Sequence, residues 1–293
     1  MLIIPVGVDG GGSSSRAALI VPGSEHRLEA RGGPANVSDF DTAIANIKVL
    51  LGRLLSDAGL GPNNTGRAVI HMGLAGVMDD TVANRVAAEF GFAQVSVTDD
   101  QVTNILGALG MRDGAVAAIG TGSFVGRQCN GSIDRVGGWG SAVSDQASGA
   151  WLGTRILAET LLAHDRMAAH SPLTKALLDR FGGAKGITAF AITATPADFA
   201  ALAPEIVTAA NSGDKVAAVL MARGAGYVAS ALASLGWQED EPLCLTGGLG
   251  PAYQPWLDPR LAAACAPPFG SALDGALAFA RKMAADMTEA NTR

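Results

Sequence analysis

The chain has 293 residues, 48% of them hydrophobic, and a net charge of −6. That length is enough for two packed domains or one large one, and an acidic balance without a basic stripe argues against a nucleic-acid partner. No apolar run approaches a membrane span, no positive start marks a secretory signal, and Cys129, Cys244 and Cys265 lie far apart with no CxxC, as reduced thiols do. The expectation is a soluble, cytoplasmic α/β protein without a membrane partner.

The segment "VGVDGGGSSSRAALIV" near the N-terminus places a glycine- and serine-rich turn between two apolar runs, 2–8 and 17–21. Strands on both sides exclude a flexible linker and predict a hairpin. Over 41–58, Ile44, Ile47, Leu50, Leu51, Leu54 and Leu55 recur at helical spacing, with Asp39 or Asp41 as cap and Gly59 as stop. A short buried strand is expected at 68–72, followed by "GLAGVMDD" and a helix over 81–90. Another strand, 95–98, ends at Asp99 and Asp100, and a helical stretch covers 101–109. "AVAAIGTGSFVGRQ" then repeats the opening theme of strand, glycine turn and strand, as an internal duplication would.

The second half is helix-rich, with expected helices at 147–163, 172–181, 196–212 and 215–235. "PLCLTGGLG" returns to strand and glycine turn, and a last helix spans 273–287. No linker separates the halves, so interleaved domains are expected. One covers 1–111 and is completed by the C-terminal helix within 273–293; the other covers 112–272.

Three glycine-rich turns follow strands: 10–15, 120–123 and 247–250. Glycine there lets backbone N–H groups approach a ligand, most often phosphate oxygens. No Lys follows as a P-loop requires, and the first turn leads into a strand, unlike a dinucleotide fingerprint. Asp9 would repel a phosphate unless a divalent cation sat between them, so it implies Mg²⁺ as well. His26, His71, His164 and His170 have no spacing suited to metal ligation, and Arg16 is expected to support the first hairpin.

Together "GVDGGGSSSR", "MGLAG", "AIGTGSF" and "LTGGLG" resemble, in order and spacing, the phosphate and adenosine motifs of the actin-like ATPase superfamily. The resemblance implies an α/β, ribonuclease H-like fold with two lobes around a deep cleft. "GGWGSAVSDQASGAWLG" and "DGALAFAR" narrow it to the BadF/BadG/BcrA/BcrD-type ATPases, in the branch of the N-acetylglucosamine and bacterial glucosamine kinases. That branch implies ATP and Mg²⁺ as cofactors and an amino sugar as partner. It places Gly10, Gly11, Gly12, Ser13, Ser14, Gly120, Thr121, Gly122 and Ser123 on the ATP phosphates, and Gly247 and Gly248 on adenosine. Asp9 would hold the metal through water. Asn36, Gly76, Asp99, Gly138, Trp139 and Asp145 would meet the sugar. The sequence departs from many relatives at Gln146, where Glu is common, at Ser13, where Thr is commoner, and at Ala75, where a Ser hydroxyl is lost.

Transfer to a sugar hydroxyl needs a base. The family's spacing from that base to a downstream Gly-Ala assigns it to Asp100, because Gly107 and Ala108 follow. The alternative is that Asp99 and Asp100 merely cap the helix after them; adjacent residues point differently, so one is expected to cap while the other faces the sugar. Trp139 is a sugar platform or a packing residue, and Asp145 a sugar ligand or a helix cap. The expected reaction is phosphorylation of the 6-hydroxyl of D-glucosamine, with N-acetylglucosamine as the rival substrate. An iron–sulfur activator ATPase of 2-hydroxyacyl-CoA dehydratases is more remote, because the cysteines are not placed as its cluster ligands are. A sugar-sensing repressor would need an added helix-turn-helix segment. A monomer and a homodimer both stay open.

Overall fold

The computed structural model describes residues 3–12, 14–61 and 66–290, and these divide into two units. Unit 1 comprises Met1–Arg112 with Pro268–Arg293, and unit 2 comprises Asp113–Pro267.

In unit 1, β1 (Ile4–Gly10), β2 (Ser15–Ile20), β3 (Arg27–Gly32), β4 (Ala68–Leu74) and β5 (Gln94–Asp99) form one mixed sheet in the order β3-β2-β1-β4-β5. The hairpin β1–β2 is antiparallel, while β1, β4 and β5 run parallel. Successive strand residues point to opposite faces. Val6, Val8, Ile70 and Met72 therefore join Ile47, Leu51 and Leu54 of α1 (Phe40–Asp57) in one core. A second layer covers the other face. There α3 (Asp100–Leu109) and the C-terminal helix (Ala272–Ala290) pack on the sheet, with Ala18 against Leu273 and Leu277. Because both faces are covered, β4 is buried throughout its length, as central parallel strands are. The helix α2 (Asp80–Ala87) links β4 to β5.

Unit 2 repeats the theme with β6 (Gly114–Ile119), β7 (Ser123–Cys129), β8 (Ser132–Gly137) and β9 (Leu243–Thr246), in the order β8-β7-β6-β9. Here too a hairpin, β6–β7, is antiparallel and the central strand has a parallel neighbour, β9. Between β8 and β9 lie α4 (Gly149–His164), α5 (Pro172–Arg180), α6 (Ala184–Thr193), α7 (Pro196–Ala200), α8 (Ala203–Asn211) and α9 (Lys215–Ser234). After β9 come a 3₁₀ segment, Gly250–Trp256, and α10 (Pro259–Ala263). Ala115, Ala117, Ile119, Leu152, Ile156, Leu220, Met221 and Tyr253 share one core. By length and composition α9 could cross a membrane, with mean hydropathy 1.5, but Leu220, Met221 and Val228 bury its inner face in that core.

Several expectations shift. β3 and β8 were not anticipated: each is an edge strand carrying charged residues, "RLEARG" and "SIDRVG", which blunt an exposed edge and blur the apolar alternation. The expected helix 196–212 is two helices. Thr195 and Asp198 form a capping box at the first, and Pro204 lies in the first turn of the second, where a missing N–H costs nothing. Helix α6 was also missed. The expected helix 147–163 starts later, at Gly149, because Ser148 is its cap and Ala147 has a left-handed backbone.

Candidate active site

In open α/β sheets, ligands bind beyond the carboxyl ends of parallel strands. In unit 1, β1, β4 and β5 end together, with Gly10 beside Leu74 and Leu74 beside Asp99. Asp9 sits at the end of β1 and forms an ion pair with Arg16 of β2, Nη2 to Oδ2, at 2.6 Å. The strands put these two residues directly opposite one another. The turn after β1 folds back through Gly11 N–H, which donates to Ser14 O at 2.9 Å, while Gly11 O accepts from Ala35 N–H at 2.9 Å. Gly10 O accepts from Ala75 N–H at 2.8 Å. These bonds bring the segment carrying Asn36 and the one carrying Gly76 to the glycine turn.

Asn36 Oδ1 accepts from Ser38 N–H at 2.9 Å. Gly76 has φ +85°, and a Cβ there would overlap Asn36 Oδ1, so only glycine allows this approach. Ser14 is exposed. Ser13 lies outside the described residues. Asp99, expected among the sugar groups, is the N-cap of α3: its carboxylate accepts from Gln101 N–H at 2.9 Å and Val102 N–H at 3.2 Å. Asp100 is the first helical residue.

In unit 2, the turn between β6 and β7 closes with Gly120 N–H donating to Gly122 O at 2.9 Å. Thr121 at its tip is exposed. Ser123, expected among the phosphate donors, is turned inward. Its hydroxyl donates to Gln146 O at 2.6 Å, and its N–H donates to the Asp145 carboxylate. Gly122 lies against the same carboxylate, where a Cβ would come within 2.6 Å of Oδ2. The Asp145 carboxylate also accepts from Gly140 N–H at 3.0 Å. Burial pushes the Asp145 pKa above the usual range, and the two N–H donors oppose that shift. Asp145 is therefore no helix cap.

The loop carrying Gly138 and Trp139 leaves β8 between left-handed glycines and is tied down by Gly138 N–H on Ser123 O at 3.0 Å. Trp139 is 73% exposed, so it is not a packing residue of the core. The third turn, Gly247 and Gly248, adjoins the second: Leu249 N–H donates to Ile119 O at 2.9 Å. Both glycines are exposed, and a Cβ on Gly248 would meet nothing.

Each unit thus gathers its own share of the expected residues. Unit 1 groups Asp9, Gly10, Gly11, Gly12, Asn36 and Gly76, with Asp99 and Asp100 along the same sheet edge. Unit 2 groups Gly120, Thr121, Gly122 and Ser123 with Gly138, Trp139 and Asp145, and places Gly247 and Gly248 alongside. Open glycine backbone at the turns fits a polyphosphate, and the Asp9 carboxylate at the β1 end fits an outer-shell ligand of its cation. No cluster of three or more metal-ligating side chains exists among the described residues.

Two residues escaped the sequence reading. The chain has only two tyrosines, and both converge on the Gly137–Ala147 region. Tyr227 of α9 places its hydroxyl against Gly137, 2.5 Å from where a Cβ would sit; burial and then the Asp145 charge push its pKa up. Tyr253 donates to Ala147 O at 2.8 Å. Their scarcity was the one signal available.

Comparison with known proteins identifies relatives of the whole chain. The chain is 31% identical over 280 residues to the glucosamine kinase GspK of Vibrio cholerae, covering 94% of this chain and 95% of that one. A Chromobacterium violaceum crystal structure with a provisional N-acetylglucosamine kinase name superposes with a TM-score of 0.83 at 34% identity, covering 95% and 99% of the two chains. A Streptomyces griseus ROK family glucokinase, solved with glucose and AMPPNP, shares the fold alone, at TM-score 0.53 and 18% identity over 95% and 98%. The duplicated hairpin and sheet order are those of the actin-like ATPase fold. The model of the BadF/BadG/BcrA/BcrD ATPase family matches residues 6–254, a span that runs from the first hairpin past the third glycine turn, and the chain belongs to that family.

Proposed function

We propose that this protein transfers the γ-phosphate of ATP to the 6-hydroxyl of D-glucosamine, with Asp100 as the base. The observation that carries the reading is its 31% identity to a glucosamine kinase across 94% of the chain. The commitment of Asp99 to the α3 cap supports Asp100 as the proton acceptor. Asp100 takes the proton of the 6-hydroxyl as the oxygen attacks, which positions a better nucleophile without a covalent intermediate. Asn36, Gly76, Gly138, Trp139 and Asp145 hold the sugar. The backbone at Gly10, Gly11, Gly12, Ser14, Thr121 and Gly122 faces the phosphates, while Gly247 and Gly248 carry adenosine. Ser13 belongs to the phosphate set by its place in the turn.

Asp9 would hold Mg²⁺ through water, and Arg16 orients that carboxylate. When bound, Mg²⁺ supplies charge neutralisation at the phosphate oxygens. A protonated 2-amine suits a site that includes the Asp145 carboxylate. The provisional name of the Chromobacterium violaceum protein makes N-acetylglucosamine the alternative substrate. A coupled ADP-release assay with glucosamine, N-acetylglucosamine and glucose separates them. The reading expects kcat/KM for glucosamine to exceed that of either other sugar by about tenfold or more. A preference for N-acetylglucosamine moves the substrate assignment, and ADP release with none of them removes the reading.

A further inference from the structure

Four non-glycine residues among those described have a left-handed backbone: Asn130, Asp145, Ala147 and Arg166. Asn130 and Arg166 are exposed turn residues. Asp145 and Ala147 are different, being 6% and 0% exposed, with φ +59° and +71°. Alanine has no polar side chain to stabilise this conformation locally. Something else must hold it, and such strain concentrates where function requires it.

The restraints are visible on both sides of the tripeptide Asp145, Gln146 and Ala147. On the hairpin side, Ser123 Oγ donates to Gln146 O, and Gly149 N–H donates to Gly120 O at 2.8 Å. On the other side, Tyr253 donates to Ala147 O. Tyr253 is fully buried in the 3₁₀ segment that follows the Gly247 turn. Its ring lies on α9 at Gly224, where any Cβ would overlap the phenol. The ring is thereby fixed, and the hydroxyl has a defined direction.

We infer that Tyr253 is a positioning residue for the sugar site: its hydroxyl holds Ala147 in the left-handed conformation that sets the direction of the Asp145 carboxylate. The inference rests on the proposed function, in which Asp145 binds the amino sugar. It concerns the sugar and leaves the phosphate-binding backbone alone.

The test is a set of steady-state measurements on Tyr253→Phe, Ala147→Gly and the double variant. Phe keeps the ring and removes the donor, leaving Ala147 O buried without its partner. The expected result is a KM for glucosamine raised about 5- to 30-fold, the range set by left-handed strain at Ala147 that the hydroxyl no longer offsets, with KM for ATP within about twofold of wild type. Glycine adopts the left-handed conformation without help. Adding Ala147→Gly to Tyr253→Phe should therefore return the KM for glucosamine to within about threefold of wild type. A purely packing role for Tyr253 would not be rescued in this way. An unchanged KM for glucosamine in Tyr253→Phe, or a double variant no better than the single, overturns the inference while the kinase reading stands. A wild-type protein inert towards both amino sugars removes both. Should Tyr253→Phe fail to fold, Ser123→Ala loosens the same tripeptide through Gln146 O, and the same rise and rescue are expected; their absence overturns the inference.

Discussion

The hairpin β1–β2 carries charge at its turn and the hairpin β6–β7 carries none. In the first, Asp9 and Arg16 face one another across the ladder and close to 2.6 Å. In the second, the corresponding work falls to backbone: Gly120 O and Thr121 O accept from Gly149 N–H and Ala150 N–H, while Ser123 reaches the strained tripeptide. One topology, used twice, carries an ion pair in one hairpin and in the other braces the tripeptide from Asp145 to Ala147. The difference teaches that duplicated geometry does not duplicate chemistry, which is set by the few side chains beyond the turn.

The sharpest way to break the comparison is at the end of β5. Asp100→Asn keeps the shape and removes the proton acceptor, so kcat should fall by about 10²–10⁴-fold, with KM for ATP little changed. Asp99→Asn retains an oxygen that can cap α3 and should lose far less. If Asp99→Asn is the dead variant and Asp100→Asn is not, the assignment of unit 1 chemistry is shifted by one residue.

The cores differ in a titratable group. His71 in β4 is fully buried, stacks on Phe279 of the C-terminal helix at 4.1 Å, and meets Ser96 Oγ and Thr98 Oγ1. Burial lowers its pKa from 6.5 to about 4. The unfolded chain therefore binds the proton first, and stability falls as pH drops from 6.5 through 4. This single group removes about 3 kcal/mol over that window. Chemical denaturation across pH 4–7 should show the loss, and His71→Gln should flatten the slope; an identical slope in the variant contradicts it.

At the charged hairpin, Asp9→Asn should weaken the Mg²⁺ dependence of turnover by about 10- to 100-fold, the size expected of an outer-shell ligand. A magnesium titration of initial rates measures it. An unchanged Mg²⁺ requirement would make the two hairpins alike and end the division of labour. The smallest effect belongs to Trp139. Being largely exposed, Trp139→Ala should leave the thermal midpoint nearly unchanged while raising KM for glucosamine about 2- to 10-fold, one aromatic contact's worth. A lowered midpoint with an unchanged KM would make it structural.

Much of this was legible in the sequence because backbone chemistry leaves a signature in residue type. The run 2–8 and the stretch before the second turn read as apolar strands and their turns as glycine clusters, in which a Cβ at Gly10 would overlap Leu74 and one at Gly122 the Asp145 carboxylate. The stop at Gly59 was plain, and the cap was narrowed to Asp39 or Asp41, of which Asp39 caps the helix. Edge strands β3 and β8 were not legible because their charges hide the alternation. The left-handed Ala147 was invisible: nothing in an alanine announces strain held by Tyr253, which is remote in sequence. For the same reason Ser123 read as a phosphate donor, when its hydroxyl and N–H serve Gln146 and Asp145.

The account stands most directly on the position of phosphorylation. Incubating wild-type protein with Mg²⁺, ATP and glucosamine, and recording a phosphorus–proton correlation NMR spectrum of the product, locates the new ester bond. The account predicts coupling of the new phosphorus signal to the two protons on C6 of the amino sugar. Coupling to the anomeric proton, or ADP and inorganic phosphate as the only products, would contradict it.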